Sequence, residues 1–157
     1  MNYLFVFLLS LTTLESSPTN PAVDSVLVVK SERKMYLLAN GSTVNEYAVV
    51  FGRNPVGHKQ QEGDGRTPEG RYTLDFKNAD SAFYKSIKIS YPDAEDTARA
   101  EKQGVSPGGL IMIHGQKNGS DWARNYDWTD GCIAVTNAEM DELWQLLEEG
   151  FPIEIRP

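Results

Sequence analysis

Two short segments of this chain hold the residues best suited to acyl-transfer chemistry. Segment 111–115 ends an apolar run with His114, one of two histidines, and segment 129–135 contains Cys132, the only cysteine. Each polar residue borders a β-branched run, so both side chains are expected where strands meet loops. A thiol attacks as its thiolate and needs a neighbouring base, which an imidazole can provide. We therefore predict Cys132 as nucleophile and His114 as general base.

Backbone groups beside these two residues fit the same chemistry. Gly131 precedes the cysteine and, without a side chain, is expected to leave room for a substrate carbonyl. The N–H groups of Gly131 and Cys132 are predicted to form an oxyanion hole, with Gly115 as a further backbone member of the site. Because no acidic partner for His114 is evident, we expect a backbone carbonyl, such as that of Gly115, to fix its tautomer. The competing interpretation makes Cys132 a buried core residue, as free cysteines often are.

Short strands are expected to position this pair. Runs of β-branched residues, alternating polarity and an Asn40-Gly41 turn signal predict seven strands, over residues 25–30, 35–39, 43–50, 71–75, 85–90, 110–113 and 151–155. A polar helix is predicted over 93–103, and a second begins at Thr136, which forms a capping-box pattern with Glu139. His114 directly follows the predicted 110–113 strand and is therefore expected at the end of that strand.

Three ordered blocks of the sequence resemble the L,D-transpeptidase catalytic domain, also called the YkuD domain. They are His114-Gly115 after a strand, the run Thr129-Asp130-Gly131-Cys132-Ile133, and residues 52–57 with 65–72, which are similar to the family's Gly-Lys-x-x-x-x-Thr-Pro-x-Gly-x-Phe/Tyr region. The resemblance covers roughly residues 25–157. It implies a mainly β fold with a few helices, a YkuD-like mixed β-sandwich in a single domain. It also implies a cysteine enzyme that acts on peptidoglycan stem peptides at meso-diaminopimelate.

The chain departs from the common family pattern two positions after the cysteine. Many members have Arg there, whereas this chain has Ala134, and Asp130 stands where many have His or another residue. Loss of that Arg resembles a subgroup that hydrolyses peptidoglycan links, including the release of a covalently attached lipoprotein. On the resemblance of the three blocks as a whole, L,D-transpeptidation is our predicted activity. A hydrolase that releases peptide or lipoprotein, and a peptidoglycan-binding module without catalysis, stay open as alternatives.

Substrate-binding residues are predicted around the pair. The loop 52–70 is long for a compact domain, and its Arg53 and Arg66 suit substrate carboxylates, because arginine can bind them with two hydrogen bonds. Thr129, Asp130 and Trp128 adjoin the cysteine and are predicted to contact substrate. Trp128 shares its loop with Trp122 and Tyr126; these rings would either stack on a ligand or pack the loop against the domain.

Composition narrows the possible functions. A chain of 157 residues with 40% hydrophobic content can bury one ordinary core. Its net charge of -7 argues against nucleic-acid binding, which requires clustered Lys and Arg. One cysteine and two histidines lack the local spacing of a zinc site, so we predict neither a metal nor another cofactor.

The N-terminus indicates export. Residues 3–14 form an apolar run of signal-peptide length, too short to span a bilayer, and a linker rich in Ser, Thr and Pro follows. We predict a signal peptide and linker over 1–22 and a catalytic domain over 23–157. The mature protein would then lie in the periplasm or cell envelope without stable membrane insertion. The alternative is a buried N-terminal strand in a cytoplasmic domain.

Overall fold

A computed structural model describes residues 21–120 and 126–157 of the chain. The predicted leader at 3–14 and the ring of Trp122 lie outside these residues, so those predictions stay open. Within the described part, the elements in chain order are β1 Ser25–Val29, β2 Lys34–Ala39, β3 Ser42–Ala48, β4 Gly70–Ser81, β5 Tyr84–Ile89, α1 Ala94–Lys102, β6 Met112–His114, β7 Ile133–Ala134, α2 Asn137–Leu146 and β8 Pro152–Arg156.

The strands form one mixed sheet in the order β3-β2-β1-β8-β4-β5-β6-β7. The long strand β4 connects its two halves, because residues 70–73 pair with β8 and the segment from Leu74 onward pairs with β5. Most neighbours are antiparallel, but β1 runs parallel to β8 and β6 runs parallel to β7. The predicted class, mainly β with a few helices, is confirmed.

One hydrophobic core joins the two halves of the sheet. It contains Val28 and Leu37 from one half, Ile87 and Ile113 from the other, and Leu143 from α2, all fully buried. The alternation of buried and partly buried residues along β1 and β2 follows the period of a strand with one face on the core. Helix α2 begins at Thr136, whose side chain and that of Glu139 complete the predicted capping box.

Several strand boundaries differ from the sequence-based expectation, and two of these differences bear on the cavity. Strand β6 begins at Met112, two residues late, because Leu110 has a positive φ of 54° and cannot continue an extended strand. Strand β4 runs to Ser81, six residues beyond the expected end. The mostly polar sequence of its last residues does not predict a strand. These residues nevertheless pair with β5, and that pairing determines where β4 ends.

A buried polar cluster fixes the loop 52–70 to α1. Asp96 accepts hydrogen bonds from the Tyr72 hydroxyl and from His58 Nε2, each at 2.8 Å, and it also pairs with Arg99. The N–H of Glu69 donates to His58 Nδ1 at 2.8 Å. Since Nδ1 must accept there, Nε2 carries a proton and donates it to Asp96, so His58 connects the loop to α1.

We predict that Asp96→Asn lowers the unfolding free energy at pH 7 by about 2 kcal/mol, because charged hydrogen bonds to a buried carboxylate are lost. Burial raises the pKa of Asp96, but hydrogen bonds from Arg99 and Tyr72, among others, hold it below its ordinary 3.8. A lowered folded-state pKa means that this stabilisation is complete above pH 3.8 and is lost as the pH falls through the folded-state value. Urea unfolding at pH 7 and pH 3 measures both effects.

The exposed Asp80→Asn is the matched control, which we expect to change stability by less than about 0.5 kcal/mol. Equal stability of wild type and Asp96→Asn at pH 7 would contradict the role given to this cluster.

Candidate active site

Two parallel strands place His114 and Cys132 on one face of the sheet. Ile113 pairs with Ile133 and His114 pairs with Ala134, and Cys132 immediately precedes β7. Because side chains alternate along a strand, His114 and Cys132 share the face opposite the two core isoleucines, at diagonal positions on neighbouring strands. Both residues line one cavity of about 410 Å³. The predicted nucleophile and base are therefore brought together.

The imidazole of His114 is 3% exposed and has a defined tautomer. Its Nδ1 lies 2.7 Å from the carbonyl oxygen of Gly115. A carbonyl only accepts, so Nδ1 carries the proton and Nε2 has the free lone pair of a base. The expectation that a backbone carbonyl orients this histidine is confirmed.

Aromatic rings cover the same imidazole. The Phe83 ring centroid is 4.5 Å from that of His114, and the Trp128 centroid is 5.7 Å away. Burial lowers the pKa of His114 below its ordinary 6.5, and the hydrogen bond to Gly115 opposes this shift only in part. His114 is thus neutral at pH 7.

The thiol of Cys132 is half-buried and lies 3.4 Å from the carbonyl oxygen of Leu110, to which it donates. Burial raises the pKa of the Cys132 thiol above its ordinary 9.0, against the smaller opposing effects of a backbone hydrogen bond from Met112 and the charge of Lys59. At pH 7 both the thiol and the imidazole are therefore neutral in the free protein. Nucleophilic attack by Cys132 would require its proton to move to His114 when substrate binds.

The glycines at the site are needed for close packing. At Gly131, where φ is 137°, a Cβ would lie 2.7 Å from the carbonyl oxygen of Arg66. The direction in which a side chain would point is therefore occupied by the protein's own backbone, so the structure explains this glycine by close packing. At Gly115, a Cβ would lie 2.6 Å from Asn137 Oδ1.

Two of the three backbone groups predicted for the site are already engaged. The N–H of Gly131 donates to Thr129 Oγ1 at 3.1 Å, and the N–H of Gly115 donates to the carbonyl of Phe83 at 3.0 Å. The geometry therefore does not favour the oxyanion role predicted for Gly131, and Gly115 N–H is not free to take one. The backbone N–H of Cys132 stays the predicted donor.

The predicted substrate-binding residues have different surroundings. Trp128, Thr129 and Asp130 line the cavity, and Asp130 forms an exposed ion pair with Arg53 at its rim. Thr129 is 4% exposed, and its hydroxyl accepts from Gly131 and donates to the Cys132 carbonyl at 2.7 Å, so it holds the cysteine loop. Arg66 is not among the described residues that line the cavity; its guanidinium contacts the His58 carbonyl at 3.5 Å.

Sequence reasoning missed several residues of the cavity wall. Phe83, Ser86, Asn78 and Leu110 all line it. The alternation of strand 85–90 carried a signal for Ser86, because it assigns Ile87 to the core and Ser86 to the opposite face. Phe83 lies in the tight connection between β4 and β5 and has no local pattern that marks it.

The described residues 21–120 and 126–157 contain no group of three or more His, Cys, Asp or Glu side chains arranged to hold a metal ion. They also contain no helix that is long and apolar enough to cross a membrane.

Comparison with known families now identifies the family. The family model of the L,D-transpeptidase catalytic domain, YkuD, matches residues 24–155. This chain belongs to the L,D-transpeptidase catalytic domain family. The resemblance carried by the three sequence blocks is thereby confirmed.

Individual relatives agree with this assignment. The chain is 31% identical over 106 residues to YafK of Escherichia coli (strain K12), whose name describes it as an L,D-transpeptidase. The matched residues cover 66% of this chain and 37% of YafK. The crystal structure of the helical cell shape determining protein Pgp2 from Campylobacter jejuni superposes with a TM-score of 0.65 at 26% identity, covering 88% of this chain and 51% of that one.

The fold is also that of more distant members. An L,D-transpeptidase from Xylanimonas cellulosilytica superposes with a TM-score of 0.56 at 17% identity, over 90% of this chain and 64% of that one. The expected YkuD-like fold is confirmed. The chain spans 37% of the length of YafK and about half that of Pgp2, so it corresponds to part of each.

We predict that the alkylation rate of Cys132 by iodoacetamide rises with pH along a single titration whose midpoint lies at or above 9.0. The reason is that burial disfavours the thiolate and that His114, with its lowered pKa, is uncharged at neutral pH and gives no ion pair. Intact-mass measurement between pH 6 and 10 follows the reaction.

His114→Gln serves as the control, because glutamine is uncharged at every pH and should leave the midpoint nearly unchanged. A wild-type rate plateau that extends below pH 7 and disappears in His114→Gln would reveal a thiolate–imidazolium pair and contradict the prediction.

Proposed function

We propose that this domain is a peptidoglycan-modifying L,D-transpeptidase that forms an acyl-enzyme on Cys132 with stem peptides at meso-diaminopimelate. The observation that carries the proposal is the placement of Cys132 and His114 on one face of neighbouring parallel strands, in one cavity, with the imidazole tautomer fixed. Family membership supports the same chemistry.

Acylation follows from the positions of the two side chains. His114 Nε2 takes the proton of the Cys132 thiol, and sulfur attacks the scissile carbonyl carbon. The tetrahedral intermediate holds its negative charge on oxygen, where the Cys132 N–H is the proposed donor. On collapse the carbon–nitrogen bond breaks, the carbonyl re-forms as a thioester, and the proton on Nε2 passes to the leaving amine.

The second step distinguishes two activities. An acceptor amine that gives its proton to Nε2 and attacks the thioester completes transpeptidation, whereas water completes hydrolysis. A specific observation favours the hydrolase as second candidate: Ala134 is fully buried and pairs with His114, so this position supplies no cation to hold an acceptor carboxylate. Such a hydrolase would release peptide or an attached lipoprotein from peptidoglycan.

The proposed substrate places the protein in the cell envelope. Peptidoglycan lies outside the cytoplasmic membrane, and an exported chain with residues 1–22 as leader and linker and 23–157 as catalytic domain would meet it there. An unpaired cysteine in an oxidising compartment also fits a catalytic thiol better than a structural one.

We expect purified protein, incubated with sacculi that carry tetrapeptide stems, to remove the terminal D-Ala and form crosslinks between two diaminopimelate residues. The Cys132→Ala variant should lose this turnover at least 1,000-fold, as expected when a nucleophile is removed. Muropeptide analysis measures the products.

Cys132-dependent release of peptide or protein without new crosslinks would assign the hydrolase instead. Sacculus binding with no Cys132-dependent change would contradict both activities and favour a binding module.

The Arg53–Asp130 pair yields a prediction on substrate affinity. Both side chains are more than half exposed, and an exposed ion pair is weak, so substrate can replace either partner. We expect Asp130→Asn to release Arg53 and lower KM for an anionic stem peptide about threefold, and Arg53→Gln to raise KM by a similar factor. Steady-state kinetics should show kcat within twofold of wild type in both.

Arg71→Gln is the matched control, because Arg71 is 85% exposed on β4 and is not among the described residues that line the cavity. Its KM should match wild type. KM changes of the same sign in Asp130→Asn and Arg53→Gln would refute the proposed role of the pair.

A further inference from the structure

A row of side chains crosses the sheet on the cavity face and includes the catalytic histidine. Asn78 on β4 pairs with Ser86 on β5, Ser86 pairs with His114 on β6, and His114 pairs with Ala134 on β7. Directly paired residues share a face, so Asn78, Ser86 and His114 lie side by side. Ser86 and Asn78 lie on the side of His114 that faces away from the cysteine strand.

Ser86 has an unusual environment within this row. It is 1% exposed, it lines the cavity, and its hydroxyl has no hydrogen-bond partner among the described residues. A buried hydroxyl without a partner destabilises a fold, so an alanine here would be neutral or favourable for stability alone. The Ser86 hydroxyl is already shielded from water in the free protein, so it can donate to a ligand oxygen without a further desolvation cost.

Asn78 supplies a second donor beside it. Its Oδ1 accepts the N–H of Asp80 at 3.0 Å, and this bond sets the orientation of the amide. The Nδ2 group is left as the donor of the side chain, and Asn78 also lines the cavity. The described lining includes no Lys or Arg, and Asp130 is its charged member.

We infer that Ser86 and Asn78 form the subsite for the residue on the amine side of the scissile bond. The inference rests on the proposed function. Since His114 Nε2 must deliver its proton to the leaving nitrogen, that nitrogen lies at His114, and the leaving residue extends away from Cys132 toward Ser86 and Asn78. In the second step, the acceptor amine or water approaches the thioester through this same subsite.

The chemistry of the two side chains defines which group the subsite binds. Ser86 O–H and Asn78 Nδ2–H both donate, so they suit an oxygen acceptor, namely the terminal carboxyl or carbonyl oxygen of the leaving residue. Because no cation stands in the described lining, the subsite gains little from a full negative charge. A leaving D-Ala and a leaving D-Ala carboxamide should therefore react at rates within about threefold of each other.

The test compares Ser86→Ala with the matched variant Ser90→Ala. Ser90 follows the same strand, but its hydroxyl accepts the N–H of Thr73 at 2.9 Å, and it is not among the described residues that line the cavity. Tetrapeptide turnover, thermal unfolding and the iodoacetamide alkylation rate of Cys132 are measured for both. Alkylation involves the thiol but no leaving residue, so it reports on an intact active site.

For Ser86→Ala we expect kcat/KM for D-Ala release to fall about tenfold, the loss of one hydrogen bond, with an unchanged alkylation rate and an unfolding temperature no lower than wild type. For Ser90→Ala we expect the opposite pattern, a lower unfolding temperature with turnover unchanged. Asn78→Asp keeps the bond to Asp80 but replaces the donor with a negative charge, and should slow a carboxylate leaving residue more than a carboxamide one.

Unchanged turnover in Ser86→Ala would overturn the inference, and so would a joint loss of turnover, alkylation and stability, which indicates a purely structural serine. Both results refer to a wild-type protein whose turnover depends on Cys132. If the wild-type protein showed no such turnover, the proposed function itself would be contradicted.

Discussion

The parallel pairing of β6 with β7 is the interaction on which the site depends. Two short strands, joined in the register of His114 with Ala134, place the proposed base and the proposed nucleophile on one face while their isoleucines enter the core. An isolated bridge from Val50 to Ala134 fixes the other edge of β7. Because a shift of one residue would turn Cys132 toward the core side, the buried isoleucines determine the geometry of the proposed catalytic pair as well as the fold.

Backbone contacts then define the shape of the cysteine loop. A Cβ on Gly52 would lie 2.1 Å from the carbonyl oxygen of Gly65, and Gly131 packs on the carbonyl of Arg66, so three chain segments meet where no side chain fits. The His58–Asp96 cluster holds the 52–70 loop in that position from the other side. The sequence blocks 52–57 and 65–72 therefore position the Cys132 loop mainly through backbone packing, and of the two predicted arginines only Arg53 lies at the cavity rim.

Much of this arrangement could be predicted from the sequence, because it rests on local patterns. Alternation identified the strands, the capping box at Thr136 located α2, and the polar residues at strand ends identified His114 and Cys132. The roles of Thr129, Gly131 and Arg66 depend on which distant backbone groups approach them, and no local pattern reports that. Phe83 and Asn78 belong to the cavity because β4 pairs with β5 and β5 pairs with β6, a register that sequence periodicity alone does not define.

The central claim is that Cys132 becomes the acyl carrier, and tandem mass spectrometry of a reaction quenched with acid tests it most directly. After brief incubation with a tetrapeptide stem and proteolysis, we predict that the fragment containing Cys132 carries the stem peptide without its terminal D-Ala, as an adduct that hydroxylamine removes. Hydroxylamine lability identifies a thioester. Substrate that is consumed while Cys132 stays unmodified at every quench time would contradict the claim.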